Sequence, residues 1–456
     1  MKAPQFSPRR TAWEVLNNFK VSEYNCAELV EKFGDKTQNR AALVDITFGV
    51  IRNYGFINNL IAQSSVQPIK NIPTKILNCL RIAVYELVFT SQADYAIVNE
   101  AVDLAKKISS KKAAGFINAV LRKVCASIKN KSADLGKADS RKTLPLSPTI
   151  GCEFNIDILP DVNKKKAEYL SSAFSLPLWL VEQWLGQFDF EQTKNICFAS
   201  NRRPSVYARP NRLKLTAIEL FEILISQGVD CDFAEQYKMV RINKSGNIAE
   251  LKAFKEGLFT IQDATSSSIV TLLNPQSGWK ILDICAAPGT KTTQIAELTC
   301  DKGVIVATDK DNSRLTRIGE NIQRLGVTSV KVLGYDDFLK EACQPASADA
   351  VLLDVPCSNT GVLAKRPEVR LRLNEKRIEE LAKTQVELLE FASSIVTEGG
   401  KICYSTCSIL NQENIDVVNN FIRQKPEFSL EKEKIFLPSA GTYDCDGAYA
   451  AILQKN

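Results

Sequence analysis

Ile281-Leu-Asp-Ile-Cys-Ala-Ala-Pro-Gly-Thr-Lys291 decides how the second half of this chain folds. A short apolar run, Ile281, Leu282 and Ile284, leads into small residues and a glycine, and a polar and apolar mixture follows from Thr292 to Leu298. The pattern predicts a strand, a tight turn and a helix. Small residues in such a turn let a ligand approach backbone N–H groups, and the N-terminus of the following helix adds partial positive charge.

The ligand is not a nucleoside triphosphate on a P-loop. That loop requires G-x-x-x-x-G-K-[ST], whereas here only Gly289 precedes Lys291 and alanines stand where the other glycine belongs. The next strand, Gly303-Val-Ile-Val-Ala-Thr-Asp309, ends in an acid 20 residues beyond the turn glycine (309 − 289). An acid at the tip of the second strand suits ribose hydroxyls. An adenosyl compound such as S-adenosylmethionine fits these features; the alternative is an ordinary βαβ turn with an unrelated surface aspartate.

Outward from this stretch, strands alternate with helices from Leu258 to the end. The strands are Ile281–Ile284, Val304–Thr308, Val330–Leu333, Ala350–Asp354 and Lys401–Ser405; helices start at Lys291, Arg314, Glu375 and Gln412, and Gly447–Leu453 reads as a last strand near an edge. The alternation predicts an α/β doubly wound, Rossmann-like domain over 258–456, with ligand sites at the carboxyl ends of the strands. From Arg10 to Lys129 the spacing is helical throughout, as in Val98, Ala101, Val102, Ala105 and Ile108, or Ile117, Val120, Leu121 and Val124, so 1–130 is expected to be an all-α domain. Arg9, Arg10, Lys106, Lys107, Lys111, Lys112, Arg122 and Lys123 form either a nucleic-acid face or solvated helix faces. Ser, Lys, Asp, Gly and Pro dominate Asn130 to Pro148, which predicts a linker over 131–160. Residues 161–257 are expected to form a small α+β RNA-binding subdomain: a helix through Trp179 to Phe188, a strand Ser205–Arg209 and a helix Thr216–Gln227. Arg202, Arg203, Arg209, Arg212 and Lys214, with Tyr207 and Asn211, suit phosphates and unpaired bases.

Composition excludes several chemistries. There is no histidine, which rules out His-based acid/base catalysis, His triads and His-containing metal sites; no metal is expected. Thirteen cysteines without C-x-x-C pairs point to reduced thiols in a cytoplasm. No apolar run is long enough for a membrane span, and no signal peptide is expected from the basic N-terminus. A net charge of +6 leans toward a polyanionic partner.

Two cysteines lie just beyond strands, in Leu353-Asp-Val-Pro-Cys-Ser-Asn-Thr-Gly361 and Tyr404-Ser-Thr-Cys-Ser408, where a substrate over the cofactor belongs. Most cysteines are buried apolar groups, which is the expectation for the other eleven. A thiol at this place suits one reaction in particular. Carbon 5 of a pyrimidine is too weak a nucleophile to take a methyl group; a thiolate adding to carbon 6 makes carbon 5 enamine-like, and a base then removes the carbon 5 proton as the thiol is eliminated. Asp354 has the reach to hydrogen-bond N3 of the adduct, and helix ends, Lys291 and a sulfonium are the groups able to activate a thiol without histidine.

Asp283-Ile-Cys-Ala-Ala-Pro-Gly-Thr-Lys291, Asp354-Val-Pro-Cys357 and Thr406-Cys407 resemble the cofactor loop and two cysteine motifs of the Sun-type RNA cytosine-C5 methyltransferases, over Phe259 to Leu453. The resemblance implies that Cys407 is the nucleophile and that Cys357 assists product release. It also implies that Cys285, Ala286, Ala287, Pro288, Gly289, Thr290 and Lys291 hold the methionine part of S-adenosylmethionine, with Asp309 on the ribose, Asp336 on the adenine, and Asp354 serving both cofactor and base. Phe48-Gly-Val-Ile-Arg52, Tyr95-Ala-Ile-Val-Asn-Glu-Ala101 and Phe116-Ile-Asn-Ala-Val-Leu-Arg122 are similar to a NusB-type RNA-binding domain. The fusion, with Ser175-Leu-Pro-Leu-Trp-Leu180 opening the middle domain, resembles the bacterial branch of the family that methylates a cytosine of 16S ribosomal RNA. A cytoplasmic monomer acting on small-subunit ribosomal RNA, not DNA, is implied. Thr290 replaces a usual glycine, Arg366 stands before Pro367 where the family often has histidine, and Asp336 aligns only with a one-residue gap because Tyr335 takes the ungapped position. Competing readings are another nucleic-acid acceptor and a non-catalytic NusB-like antitermination factor; Cys357, Cys407, Asp309 and Asp354 together argue against the latter.

Overall fold

The computed structural model describes residues 6–20, 26–244 and 246–456. They divide into two compact units, Met1–Arg202 with Leu363–Arg372, and Arg203–Val362 with Leu373–Asn456.

The first unit begins with seven helices: α1 (Pro8–Asn18), α2 (Cys26–Gly34), α3 (Arg40–Arg52), α4 (Tyr54–Ser64), α5 (Thr74–Phe89), α6 (Asp94–Ile108) and α7 (Lys111–Ser127). Ser7 caps α1 and Ser110 caps α7, each accepting a backbone N–H of the first turn. Helix α5 is the hub: every residue from Ile76 to Val88 is buried. By contrast α6 buries only Ile97, Ala101 and Ala105, with the expected Val98, Val102 and Ile108 half-buried, and α7 buries the stripe Ala114, Ile117, Val120, Leu121 and Val124, the face that the helical spacing marks. Lys106, Lys107, Lys111, Lys112, Arg122 and Lys123 are all exposed. Arg9 is not part of an open basic face: its guanidinium pairs with Glu86, which is buried, and with Glu100.

The expected linker is folded. β1 (Ile128–Asp134), β2 (Thr143–Pro145) and β3 (Ile150–Phe154) make an antiparallel sheet in the order β1-β3-β2. A sheet packed on one face needs few apolar residues, here Ala133, Leu144, Cys152 and Phe154, and its open face carries the Ser, Lys and Asp that look like linker. Helices α8 (Lys166–Phe174), α9 (Leu178–Gln187) and α10 (Phe190–Asn201) also belong to this unit, so the chain divides at Arg202 and not at 160. Leu363–Arg372 completes the unit. Arg370 is buried and donates from Nη1 to Arg52 O (2.6 Å), Phe174 O (3.1 Å) and Asn201 Oδ1 (2.7 Å), and from Nη2 to Ser200 O (2.9 Å).

The second unit opens with β4 (Val206–Pro210), α11 (Ala217–Ser226), β5 (Asp230–Ala234), β6 (Met239–Lys244), α12 (Lys252–Lys255) and β7 (Phe259–Ile261), an antiparallel sheet ordered β5-β6-β4-β7 under α11. It continues with α13 (Ala264–Leu273), β8 (Lys280–Asp283), α14 (Thr290–Leu298), β9 (Val304–Ala307), α15 (Leu315–Leu325), β10 (Val330–Val332), α16 (Tyr335–Glu341), β11 (Ala348–Asp354), α17 (Glu375–Ile395), β12 (Val396–Thr406), α18 (Ile415–Gln424), β13 (Phe428–Phe436) and β14 (Ala448–Lys455). The seven strands run β10-β9-β8-β11-β12-β14-β13. The first five are parallel and β14 is antiparallel to both neighbours. The order reverses between β8 and β11, so the crevice where ligands bind such sheets lies at the carboxyl ends of those strands. This is the expected doubly wound fold. The edge strand β13 escapes sequence reading because seven of its nine residues, Ser429 to Ile435, face solvent. No helix among the described residues is long and apolar enough to cross a membrane.

Candidate active site

Three turns leave the carboxyl ends of β8, β11 and β12. The first, Ile284 to Gly289, is pinned by backbone hydrogen bonds from Ile284 N to Leu352 O (3.2 Å) and from Ala286 N to Thr308 O (2.9 Å). The Ala287–Pro288 bond is cis, and Gly289 has φ +91°. A Cβ on Gly289 would lie 2.9 Å from Ile318 Cγ2, so its smallness admits α15 against the turn. Small residues in this turn are expected to leave room for a ligand; at Gly289 that room is taken by Ile318 of α15.

Asp309, 5% exposed, braces the same turn. Its Oδ2 accepts from Ala287 N (3.2 Å) and lies 3.2 Å from Arg314 Nη1, while Arg314 Nη2 donates to Ala287 O (2.8 Å). Asp283, 1% exposed, accepts from Thr292 Oγ1 through Oδ2 (2.6 Å), and its Oδ1 has no partner among the described residues. A buried, unpartnered carboxylate oxygen at this turn is where a bound cationic or hydroxyl group would be received, so the turn fits the cofactor that its sequence suggests. Burial pushes the Asp283 carboxyl up to about 7; the Thr292 hydrogen bond opposes this, and the charges of Asp354 and Asp309 add to it. A folded-state value above the unfolded one means that the stability from Asp283 is present below about pH 4 and is lost as pH rises toward 7. Asp283→Asn is therefore expected to flatten the fall in melting temperature of the ligand-free protein between pH 4 and 7; parallel melting curves for the two proteins would contradict this.

The other two turns carry the two cysteines. Cys357 follows β11 and Cys407 follows β12, and their sulfurs are 3.0 Å apart. Cys407 N donates to Cys357 Sγ (3.3 Å). Asn359, with φ +62°, accepts the Cys407 S–H through Oδ1 (3.1 Å) and donates from Nδ2 to Cys357 O (2.8 Å). Cys357 is buried and Cys407 half-buried. The Cys357 thiol is held well above its usual range by its hydrogen bond with Cys407, by burial and by the charges of Cys407 and Glu413. Asp354 receives Lys291 Nζ at 2.6 Å and Ser405 Oγ at 3.1 Å. Burial alone would lower Lys291; the Asp354 carboxylate outweighs it, with further contributions from Cys407 and Asp283, and Lys291 stays cationic beside the thiols.

Lys291, Asp354, Cys357 and Cys407 are thus brought together, with Cys285 to Gly289 and Asp309 on the adjoining turns. Asp336 is exposed on the first turn of α16, just beyond β10, whereas Tyr335 before it is half-buried and is pushed up by burial and by the nearby Cys285 and Cys343 thiols. Three residues expected on an RNA face are structural instead. Tyr207 donates to Asp444 O (2.8 Å), Asn211 Nδ2 bridges Gly257 O (3.0 Å) and Leu325 O (2.8 Å), and Arg209 pairs with Glu297; all three are buried. Arg212 and Lys214 remain exposed. Ser358 and Glu413 in the loops behind Cys357, and Gln385 on α17, carried no signal in the sequence, since such a polar residue shows its use only through its neighbours.

Family models match along the chain: NusB family over 7–126, a ferredoxin-like domain of RsmF/B-like methyltransferases over 176–249, and 16S rRNA methyltransferase RsmB/F over 270–449. The chain is similar to ribosomal RNA small subunit methyltransferase B of Salmonella arizonae, 30% identical over 89% of this chain and 86% of that protein, and of Escherichia coli O1:K1, 30% identical over 94% and 92%. Its fold is similar to the crystal structure of PH0851, with a TM-score of 0.73, 27% identity and 100% of both chains covered. It is also similar to NSun6 from Pyrococcus horikoshii solved with SFG, an S-adenosylmethionine analogue, with a TM-score of 0.53, 25% identity, and 61% of this chain and 98% of that one covered. The turn at β8, the paired cysteines and these likenesses agree: the chain belongs to the ribosomal RNA small subunit methyltransferase B family and is an S-adenosylmethionine-dependent methyltransferase.

Proposed function

We propose that this protein methylates carbon 5 of a cytosine in 16S ribosomal RNA through a covalent bond from Cys407 to carbon 6. The observation that carries the reading is the pair of thiols 3.0 Å apart at the ends of adjacent strands, with Asp354 and Lys291 beside them. S-adenosylmethionine supplies an electrophilic methyl group. Cys285 to Lys291 and Asp283 would hold its methionine part, Asp309 its ribose, and Asp336 or its neighbour Tyr335 its adenine. Lys291 places positive charge where Cys407 must act as a thiolate. Cys407 forms the S–C6 bond and Asp354 hydrogen-bonds N3, which holds the ring as electron density moves to carbon 5. When a base takes the carbon 5 proton, the S–C6 bond breaks and its electron pair returns to Cys407, with Cys357 serving this release. A second cysteine with this role favours RNA over DNA as acceptor. The exposed lysines and arginine of α6 and α7 are the surface that would meet phosphates, and the reading is of a cytoplasmic monomer.

The test uses unmethylated 16S ribosomal RNA and S-adenosylmethionine. The natural protein is expected to leave 5-methylcytosine at a defined position and no retained complex. Cys357→Ala is expected to leave a protein–RNA adduct that survives denaturing electrophoresis. Absence of 5-methylcytosine with the natural protein would remove the reading, and absence of the adduct would remove the role of Cys357.

A further inference from the structure

The reaction leaves one costly feature unexplained. Glu413 is 0% exposed, and among the described residues no cation pairs with it. A buried carboxylate persists only where strong donors replace its water. Those donors come from both sides of Cys357. Glu413 Oε1 accepts Ser358 N (2.8 Å), and Oε2 accepts the Ser358 hydroxyl. Gln385 on α17 donates Nε2 to Glu413 Oε1 (3.2 Å) and to Pro356 O (3.0 Å). The two residues flanking Cys357 are therefore both fastened to one carboxylate and the amide that it orients.

Glu413 is itself tied to the strand that carries the other thiol. Tyr404 Oη, three residues before Cys407, donates to Glu413 O at 2.5 Å. A hydroxyl network and a backbone bond add to this tie: Ser408 Oγ meets Ser358 Oγ (3.2 Å) and Thr360 Oγ1 (2.9 Å), and Gly361 N donates to Cys407 O (2.9 Å). Among the described residues neither Glu413 nor Gln385 hydrogen-bonds to a sulfur. What they fix is the register of the Cys357 turn against the Cys407 turn.

We infer that Glu413, with Gln385, is the positioning residue for Cys357, and that it sets the rate at which the product leaves Cys407. This rests on the proposed role of Cys357 in release. If the turn slackens, Cys407 loses contacts to residues 357–361 but stays at the end of β12, where Thr406 pairs with Tyr449 of β14 and donates to Asn414 Oδ1 (2.6 Å), and it still forms the adduct, whereas Cys357 loses its place beside the departing sulfur. A misplacement of about 1 Å at a reacting centre costs on the order of 100-fold.

The experiment compares Glu413→Gln, Gln385→Met and Cys357→Ala with the natural protein on unmethylated 16S ribosomal RNA, reading single-turnover methyl transfer, steady-state turnover and adduct retained on denaturing gels. Glu413→Gln is expected to complete the first methyl transfer, to turn over roughly 10- to 100-fold more slowly, and to retain adduct as Cys357→Ala does. Gln385→Met, which leaves the carboxylate in place, is expected to do the same to a smaller extent. Turnover by both variants at the natural rate with no retained adduct, while Cys357→Ala retains it, overturns the inference and leaves the role of Cys357 intact. First-turnover transfer and melting temperature falling together, in both variants, also overturns it, because that is the mark of a merely structural group. If Cys357→Ala retains no adduct, the role of Cys357 and this inference fall together.

Discussion

Cys407→Ala is expected to abolish methyl transfer to 16S ribosomal RNA, with a fall of roughly four orders of magnitude or more. Removal of a covalent nucleophile leaves only binding and electrostatic help, and losses of about a millionfold are known for such groups. The loss should be confined to chemistry. Cys407 is half-buried, among the described residues its Sγ hydrogen-bonds with Cys357 Sγ and Asn359 Oδ1 alone, and its backbone bonds through N and O survive the change. Calorimetric binding of S-adenosylmethionine is therefore expected to persist, because Asp283, Asp309 and the turn at β8 are untouched. Labelled methyl transfer at the natural rate by this variant would end the assignment of the nucleophile. The contrast with Cys357→Ala is the sharper discriminator: one variant never forms the adduct and the other cannot clear it.

The methyltransferase sheet was legible because its central strands are buried on both faces. Ile281, Leu282, Ile305, Val306, Val351, Leu352 and Leu353 stand as continuous apolar runs, which composition alone picks out. The turns after them were legible through chemistry, since an acid or a thiol at a strand end has few structural uses. Legibility failed where a residue's meaning depends on what faces it. The strand Phe428–Phe436 shows its charges to solvent and so resembles loop. The sheet around Leu144 and Cys152 is built of short strands: β2 has three residues, and the one alternating run, Ile150, Cys152 and Phe154 in β3, is only five residues long. Glu413 looks like any loop acid until Ser358 and Gln385 are found against it. Tyr207, Arg209 and Asn211 are the converse: a cluster of base- and phosphate-binding residue types turned inward, because composition cannot distinguish an open cation from one already matched to a buried carboxylate.

Arg209 makes that last distinction measurable. Its side chain is 4% exposed and that of Glu297 0%, and the guanidinium also reaches Thr293 Oγ1 at 3.5 Å. Burial lowers Arg209 despite the opposing charge of Glu297, and burial raises Glu297 despite Arg209, so each group pays more for leaving water than its partner returns. Glu297 Oε1 and Arg209 Nε have no partner among the described residues, which is consistent with a pair that does not fully compensate its burial. Arg209→Met is expected to destabilise the unit by about 3–5 kcal/mol at pH 8, since it strands the carboxylate, whereas Arg209→Met with Glu297→Leu is expected to be near neutral or more stable by about 1–4 kcal/mol. The sign of the pH dependence follows from Glu297. Its folded value, already raised, rises further without the guanidinium, so the folded state holds a proton that the unfolded chain releases. Stability is then lost as pH rises through that window, and the defect should shrink toward pH 5. Urea denaturation at pH 5 and pH 8 measures it. A single variant within about 1 kcal/mol of the natural protein at pH 8, coupled with weakened binding of 16S ribosomal RNA by the double variant, would mean that Arg209 serves the RNA after all.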